Sequence, residues 1–352
     1  MGIIDLAGSR ITLHDVARLA KVHYATASTV LNGSKGSTTV SEATARRVVE
    51  AARELGYKVN RSAQQLRTRR SSVVGLLTGD VENPFFARMV SVCSAALEQA
   101  GYDVILASRR HDDFGDYHLL ESLLTRDVAG VLVWSEALTE VHERIARSGI
   151  TEIVVIGRGI PGYDSVAGEM ETGIREAFDH LHAEGYSRIG YMTPYRFLSR
   201  PGEERDQIYR EKMAQFGQPE IVIDFESTAS DIAAAVAAGE ALADQPAGER
   251  PDALFCFNDM TAFGVMMGLR RRGLSVPGDI AIVGCDNLDI VSHLDVPLTT
   301  IDYPLEAVAR AAVRLLLQRI DTTRSAESSG DVHHEILDTH LVVRASTRRR
   351  QV

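Results

Sequence analysis

Beyond residue 72 the chain alternates short apolar runs with amphipathic stretches of helical length, and few architectures accept that alternation. The runs lie at 73–77 (VVGLL), 103–107 (DVILA), 130–134 (GVLVW), 152–157 (EIVVIG), 188–192 (RIGYM), 220–224 (EIVID), 253–257 (ALFCF) and 280–285 (IAIVGC). Helical stretches such as 85–100, 173–183 and 260–272 fall between most of them. Repeated βα units predict parallel sheets with helices on both faces. The runs are continuously apolar, as strands covered on both sides must be. A chain of 352 residues exceeds one ordinary core. The α/β segment is therefore expected to form two doubly wound lobes, with ligands outside the carboxyl ends of the strands.

The first 71 residues differ in kind. Thr12 can cap a helix, with Asp15 as capping-box partner, and Val16, Leu19 and Ala20 share a face. A break at 21–23 precedes a second helix over 24–32, which Asn32-Gly33 ends. Ser41 caps a third helix, with Val48, Val49, Ala52 and Leu55 at helical spacing and Gly56 as its stop. Helix, tight turn, helix and bracing helix is the plan of a helix-turn-helix DNA-binding domain. Charge agrees. The net charge is -10, but residues 1–71 carry twelve Lys/Arg against five Asp/Glu, while the rest carries 26 against 43. A basic head on an acidic body fits a domain that meets phosphates.

Other classes are disfavoured. The G-x-G-x-x-G at Gly157–Gly162 follows the run at 152–157 but contains Pro161 and opens no helical stretch, and neither G-x-x-x-x-G-K-[ST] nor G-x-S-x-G occurs, so no catalytic residue and no cofactor is expected. Cys93, Cys256 and Cys285 are far apart, and His111, His118, His333 and His334 lie in polar segments without metal spacing, so no metal site is expected. No apolar run approaches bilayer length and no secretion signal is visible. These features predict a cytoplasmic protein with reduced thiols that makes no membrane contact.

The head resembles the LacI/GalR family of bacterial transcriptional regulators. The matching residues are TLHDVARLA at 12–20, Val22, Thr26, Ser28, VLN at 30–32, VSEAT at 40–44 and ARELGYKVNRSAQQLRTRRS at 52–71. The body matches in order at ENPFF (82–86), GVLVW, HLHAEGYSRIGY (180–191), FNDMTAFGV (257–265), GLSVPGDIAIVGCDN (273–287) and LTTIDYP (298–304), so the resemblance covers nearly the whole chain. It implies a helix-turn-helix domain at 10–58, a hinge helix at 59–71 and an effector-binding, dimerising body at 72–348. That body is periplasmic-binding-protein-like, its first lobe at 72–165 plus 302–322 and its second at 170–296 plus 333–348. Crossovers are expected near 163–172, 295–303 and 321–335. It further implies a homodimer that represses transcription from a pseudo-palindromic double-stranded DNA operator, controlled by a small molecule, a sugar or related metabolite, held between the lobes. Inducer and corepressor are both compatible with the sequence.

By family position, Tyr24, Ala25 and Thr29 would touch base edges. Thr12, Thr26, Ser28 and Asn32 complete the expected DNA set in the head, with hydroxyls suited to phosphate. In the hinge, Asn60, Arg61, Ala63 and Arg67 would join Leu66, an apolar wedge for the minor groove. The effector set is Asp80, Phe85, Phe86, Trp134, Arg205, Phe225, Asn258 and Asp286: aromatic platforms with a few orienting polar groups. Trp134 either lines the cleft or packs in the core, and Asn258-Asp259 either meets ligand or caps a helix. Lys21 stands where the family usually has Gly, His23 where it has a capping Ser, and Thr29 where it has Arg. Cys285 replaces an aromatic, Ile208 a Gly and Tyr186 a His. The alternatives are a DNA-binding dimer without effector response and an α/β enzyme.

Overall fold

The computed structural model describes residues 11–32, 40–57, 71–108, 118–135, 143–145, 147, 150–157, 159–194, 204–225, 231–325 and 331–348. Two compact units emerge, Met1–Arg70 and Ser71–Val352. In the first, helices α1 (Leu13–Leu19), α2 (Tyr24–Asn32) and α3 (Glu42–Glu54) pack around Val16, Ala17, Ala20, Ala27, Val48, Ala51 and Ala52. Most of these side chains are small, so three short helices approach closely enough to exclude water from one core. Gly56 ends α3 at φ +66°, and Tyr57 N–H returns to the Ala52 carbonyl at 2.9 Å. Leu19 and Val49, expected on inner faces, are 42% and 53% exposed. Each sits one residue from a fully buried neighbour, and a 100° step per residue carries it past the core edge.

The second unit contains two six-stranded sheets. The first has the order β11–β5–β4–β3–β1–β2, with β1 Val73–Thr78, β2 Asp103–Ser108, β3 Gly130–Ser135, β4 Ile153–Gly157, β5 Asp164–Glu169 and β11 His334–Asp338. All its pairs are parallel. The second has the order β12–β10–β9–β8–β6–β7, with β6 Ile189–Pro194, β7 Ile221–Phe225, β8 Ala253–Cys256, β9 Ala281–Cys285, β10 Thr299–Asp302 and β12 His340–Val342. Only its β12 edge runs antiparallel. Helices α4 (Pro84–Gln99), α5 (His118–Leu124), α6 (Glu171–Ala183), α7 (Glu204–Phe216), α8 (Ile232–Ala243), α9 (Asp259–Arg271) and α10 (Leu305–Ser325) complete the described elements. Among the described residues no helix is long and apolar enough to cross a membrane.

Eight strands match the apolar runs. Four were not anticipated: β5, β10, β11 and β12. Each is short or polar, as DSVAGE and TTID illustrate. They are held by pairing to apolar neighbours and by side-chain bonds that satisfy their hydroxyls. Thr299 accepts from Arg344 N–H at 2.9 Å and shares a 2.8 Å bond with Thr347. These strands also move a boundary. The chain passes between sheets after β5, after β10 and at Thr339, between β11 and β12. His334–Asp338 thus lies beside β5 in the first sheet, outside the second lobe to which 333–348 was assigned, and the third passage falls later than 321–335.

Candidate functional sites

At the head, the N-terminal end of α2 forms an exposed surface. Lys21 in the preceding turn has φ +52°, so a lysine holds the left-handed conformation for which the family uses glycine. His23 supplies the cap: its Nδ1 accepts from Ala25 N–H at 3.3 Å. Imidazole thus replaces the expected hydroxyl, in the tautomer that leaves Nδ1 unprotonated. Tyr24 is 43% exposed, and its ring stacks on His14 with centroids 4.4 Å apart. Sequence reading missed His14; its place about two turns before the break, where its ring meets Tyr24 at the start of α2, was the available signal. Ala25 is exposed, and Thr26 and Ser28 are half-buried. Thr29 donates its hydroxyl to Ala25 O at 2.9 Å. Thr12 donates both its N–H (3.0 Å) and hydroxyl (2.6 Å) to Asp15, whose carboxyl they hold below its ordinary range. Asn32 closes α2. Asn60, Arg61, Ala63, Leu66 and Arg67 lie outside the described residues.

In the body, strand order explains where the remaining candidates gather. β1 is flanked by β3 and β2, and β6 by β8 and β7, so each sheet reverses its winding beside its first strand. Exit loops diverge at such a point and leave a crevice at the carboxyl ends. Asp80 and Phe85–Phe86 follow β1, Trp134 is in the last turn of β3, Arg205 opens the helix after β6, and Asn258 follows β8.

The first-lobe group is aromatic. Phe85, buried, meets Phe86 (5.2 Å), Trp134 (5.5 Å) and Tyr303 (5.4 Å) edge-on, and Phe86 meets Trp134 at 5.3 Å. Asn83 aims this cluster by accepting from Phe85 N–H at the start of α4. Asp80 accepts from Glu82 N–H at 2.9 Å and shapes the loop.

The second-lobe group is charged. The Arg205 guanidinium lies over the Phe257 ring at 4.5 Å, with Nη2 4.0 Å from Cys285 Sγ. Cys285 is fully buried, and burial pushes its thiol up. Asp286 leaves β9 at φ +120° and Asn287 follows at +51°. Burial, reinforced by the nearby Asp259 charge, raises the Asp286 carboxyl well above its ordinary value, and Arg205 opposes the rise. Asn258 is the helix cap, accepting from Thr261 N–H at 2.9 Å, whereas Asp259 has a different task. Fully buried, Asp259 accepts from Leu288 N–H (2.8 Å) and the Thr300 hydroxyl (2.6 Å), and burial raises it to about 7. It comes so close to β9 that a Cβ at Gly284 would fall 2.2 Å from its Oδ1.

Phe225 stands apart. It ends β7 and lines an apolar groove of about 460 Å³ against Ala234, Ala238 and Leu242, which none of the other candidates lines. Ile208 packs in the core of the second lobe, where a side chain is accommodated in place of the family glycine. His333 and His334 brace β5 by donating a backbone N–H to Asp164 (2.8 Å) and sharing a 2.7 Å bond with Ser165. Among the described residues no group of three His, Cys, Asp or Glu could hold a metal.

A three-helix head with an exposed helix N-terminus, on a body of two doubly wound sheets, is the architecture of a ligand-responsive DNA-binding regulator. Residues 12–60 match the family of bacterial regulatory proteins, lacI family, and residues 178–347 match a periplasmic binding protein-like domain. The HTH-type transcriptional regulator MalR of Streptomyces coelicolor is 31% identical over 349 residues, covering 95% of this chain and 96% of its own. The HTH-type transcriptional repressor PurR of Aliivibrio salmonicida is 30% identical over 331 residues, covering 93% and 97%. Among solved structures, a complex of the transcriptional regulator CelR with cellobiose is 30% identical with a TM-score of 0.64, covering 96% of this chain and 100% of that one. The chain belongs to the lacI family of bacterial regulatory proteins and is a DNA-binding transcriptional regulator.

Proposed function

We propose that the protein is a homodimeric repressor whose hold on a pseudo-palindromic operator changes when a small polyhydroxylated metabolite, a sugar or close relative, binds between the two lobes. The observation that carries the effector half is the meeting of two unlike groups at the two switch points. Phe85, Phe86 and Trp134 offer apolar platforms, Arg205 offers a fork of donors and Asp286 a carboxyl that can both donate and accept. Such a pair can receive and donate hydrogen bonds to hydroxyls while the rings stack on carbon faces. Asn258 and Asp80 shape the surrounding loops, and Phe225 is reassigned to packing against α8. CelR, a relative of the whole chain, binds cellobiose, which supports a sugar-sized ligand.

For the operator half, Tyr24, Ala25 and Thr29 would read bases from α2, and Thr12, Thr26, Ser28 and Asn32 would meet phosphates. Residues 59–71 would serve as the hinge, with Asn60, Arg61, Ala63 and Arg67 on the backbone and Leu66 in the minor groove. Thr29 offers no bidentate guanine contact, so its position discriminates more weakly than an arginine would. Genomic operator selection with purified protein, repeated with pooled sugars, tests this reading. One pseudo-palindrome whose retention a sugar changes is expected, and Trp134, the single tryptophan, should report that sugar by fluorescence. Weak, sequence-blind binding at every salt concentration would overturn it.

A further inference from the structure

Three short passages join the lobes, and side chains lace them together. Thr339, in the third passage, donates its hydroxyl to Glu169 O at 2.5 Å and accepts from Gly173 N–H at 3.2 Å. Tyr303, in the second passage between β10 and α10, accepts at its hydroxyl from Gly168 N–H at 3.0 Å. The two ties therefore hold adjacent residues at the end of β5, Gly168 and Glu169, where the first passage begins. They differ in what else they touch. Thr339 is buried, and its hydroxyl bonds only Glu169 and Gly173. The Tyr303 ring lies edge-on to Phe85 in the aromatic group at 5.4 Å, and the charges of Asp286 and Arg205 reach its hydroxyl. Burial raises that hydroxyl to about 12, so it stays neutral while it accepts from Gly168. The approach depends on the glycine: a Cβ at Gly168 would lie 2.4 Å from the Tyr303 ring.

We propose that Tyr303 is the positioning residue through which occupancy of the effector site reaches the segments that join the lobes. Its ring packs on Phe85 of the aromatic group, and its hydroxyl fastens the second passage to the first. This rests on the effector reading above. A ligand drawn between Phe85 and Asp286 presses on the Tyr303 ring. A displaced ring shifts Gly168, and with it the angle at which β5 hands the chain to the second lobe. Both ends of a coupled equilibrium then meet in one side chain.

The test uses the full chain and the operator obtained by selection, with D-ribose, D-glucose and cellobiose as probes. Tyr303→Phe keeps the ring and removes the tie; Thr339→Val removes the tie that does not touch the site. Tyr303→Phe is expected to melt near the wild-type temperature yet to change operator affinity at least about fivefold, with or without sugar, the lower bound of ordinary coupling. Thr339→Val should leave the operator curve in place. Gly168→Ala, which displaces the ring but retains the hydroxyl, should shift the curve as Tyr303→Phe does. Wild-type operator curves for Tyr303→Phe under every condition would overturn the proposal. Equal shifts in Tyr303→Phe and Thr339→Val would also overturn it, since the tie would then be mere scaffolding. Failure of the wild-type chain to select any operator would instead overturn the function proposed above.

Discussion

Among the described residues two places hold non-glycine residues at positive φ, and they are supported in opposite ways. In the head, Lys21 sits at +52° in an exposed turn. That turn closes through backbone bonds, Lys21 N–H to Arg18 O at 3.2 Å and Val22 N–H to Ala17 O at 3.0 Å. In the body, Asp286 and Asn287 leave β9 at +120° and +51°, and side chains from three elements grip the loop. Asp259 holds Leu288 N–H. Asn287 donates its Nδ2 to Asp302 at 2.8 Å, accepts from Arg344 at 2.6 Å and sends its N–H to Thr300 Oγ1 at 3.3 Å. Strain in an open turn only lowers stability. Strain inside a polar network is held at a fixed position, which is how a side chain such as Asp286 is kept in one orientation.

The largest effect should come from cutting the grip. Asp259→Ala leaves the Leu288 N–H and the Thr300 hydroxyl without their buried acceptor, a loss of about 1–3 kcal/mol for each group. Urea unfolding should show a lower midpoint at unchanged slope. A wild-type midpoint would mean that the loop keeps its shape unaided. Asp259→Asn tests the charge instead. Both carboxyls are raised in the folded body, Asp259 to about 7, so the native state binds these protons more tightly than the unfolded chain does. Their stabilising contribution is whole below about pH 4, where unfolded aspartates titrate. It fades as pH rises toward about 7. Asp259→Asn removes one of the two groups and the like charge on the other. Its stability should fall less steeply than wild type across that window, and parallel curves would show that Asp259 itself is not raised on folding.

Next comes the same substitution at the gripped site that suits the open turn. Asn287→Gly relaxes the backbone but gives up the bonds to Asp302 and Arg344. Hydrogen bonds involving charged partners contribute about 1.5–3 kcal/mol each, more than a glycine recovers at φ +51°. The variant should therefore be less stable than wild type. A gain in melting temperature would show that the network follows the loop rather than holding it.

Legibility in the sequence divides along the same line. The aromatic group is expected from the family resemblance, which places Phe85 and Phe86 just past the first strand. The sequence leaves Trp134 open between cleft and core, and its ring packs on both phenylalanines. The grip was not readable. β10 is the polar run TTID, and Asp259 sits in a motif that reads equally well as a helix cap. Its true role depends on Thr300 and Leu288, brought to it by strand pairing far along the chain. Tyr303 was hidden in the same way: a tyrosine before a proline carries no signal until Gly168 lies beneath it. Phe225 also follows an apolar run, but β7 is an edge strand, and the ring lines a groove against α8 apart from the other candidates.

The smallest expected effect lies at the open turn and has the opposite sign. Lys21→Gly removes a left-handed strain of about 1–2 kcal/mol. It adds the entropy that a glycine loses on folding, about 0.5–1 kcal/mol. The difference favours the variant by roughly 0.5 kcal/mol. Amide exchange within α1 and α2 on the full chain would read so small a gain in the head alone, as slower opening of both helices. The operator motif should be unchanged, because the turn sets the angle between helices whose facing residues, Val16, Ala17, Ala20 and Ala27, stay in place. Faster exchange would mean that the lysine stabilises the turn by more than its backbone loses, and the contrast between the two sites would fail at its weaker end.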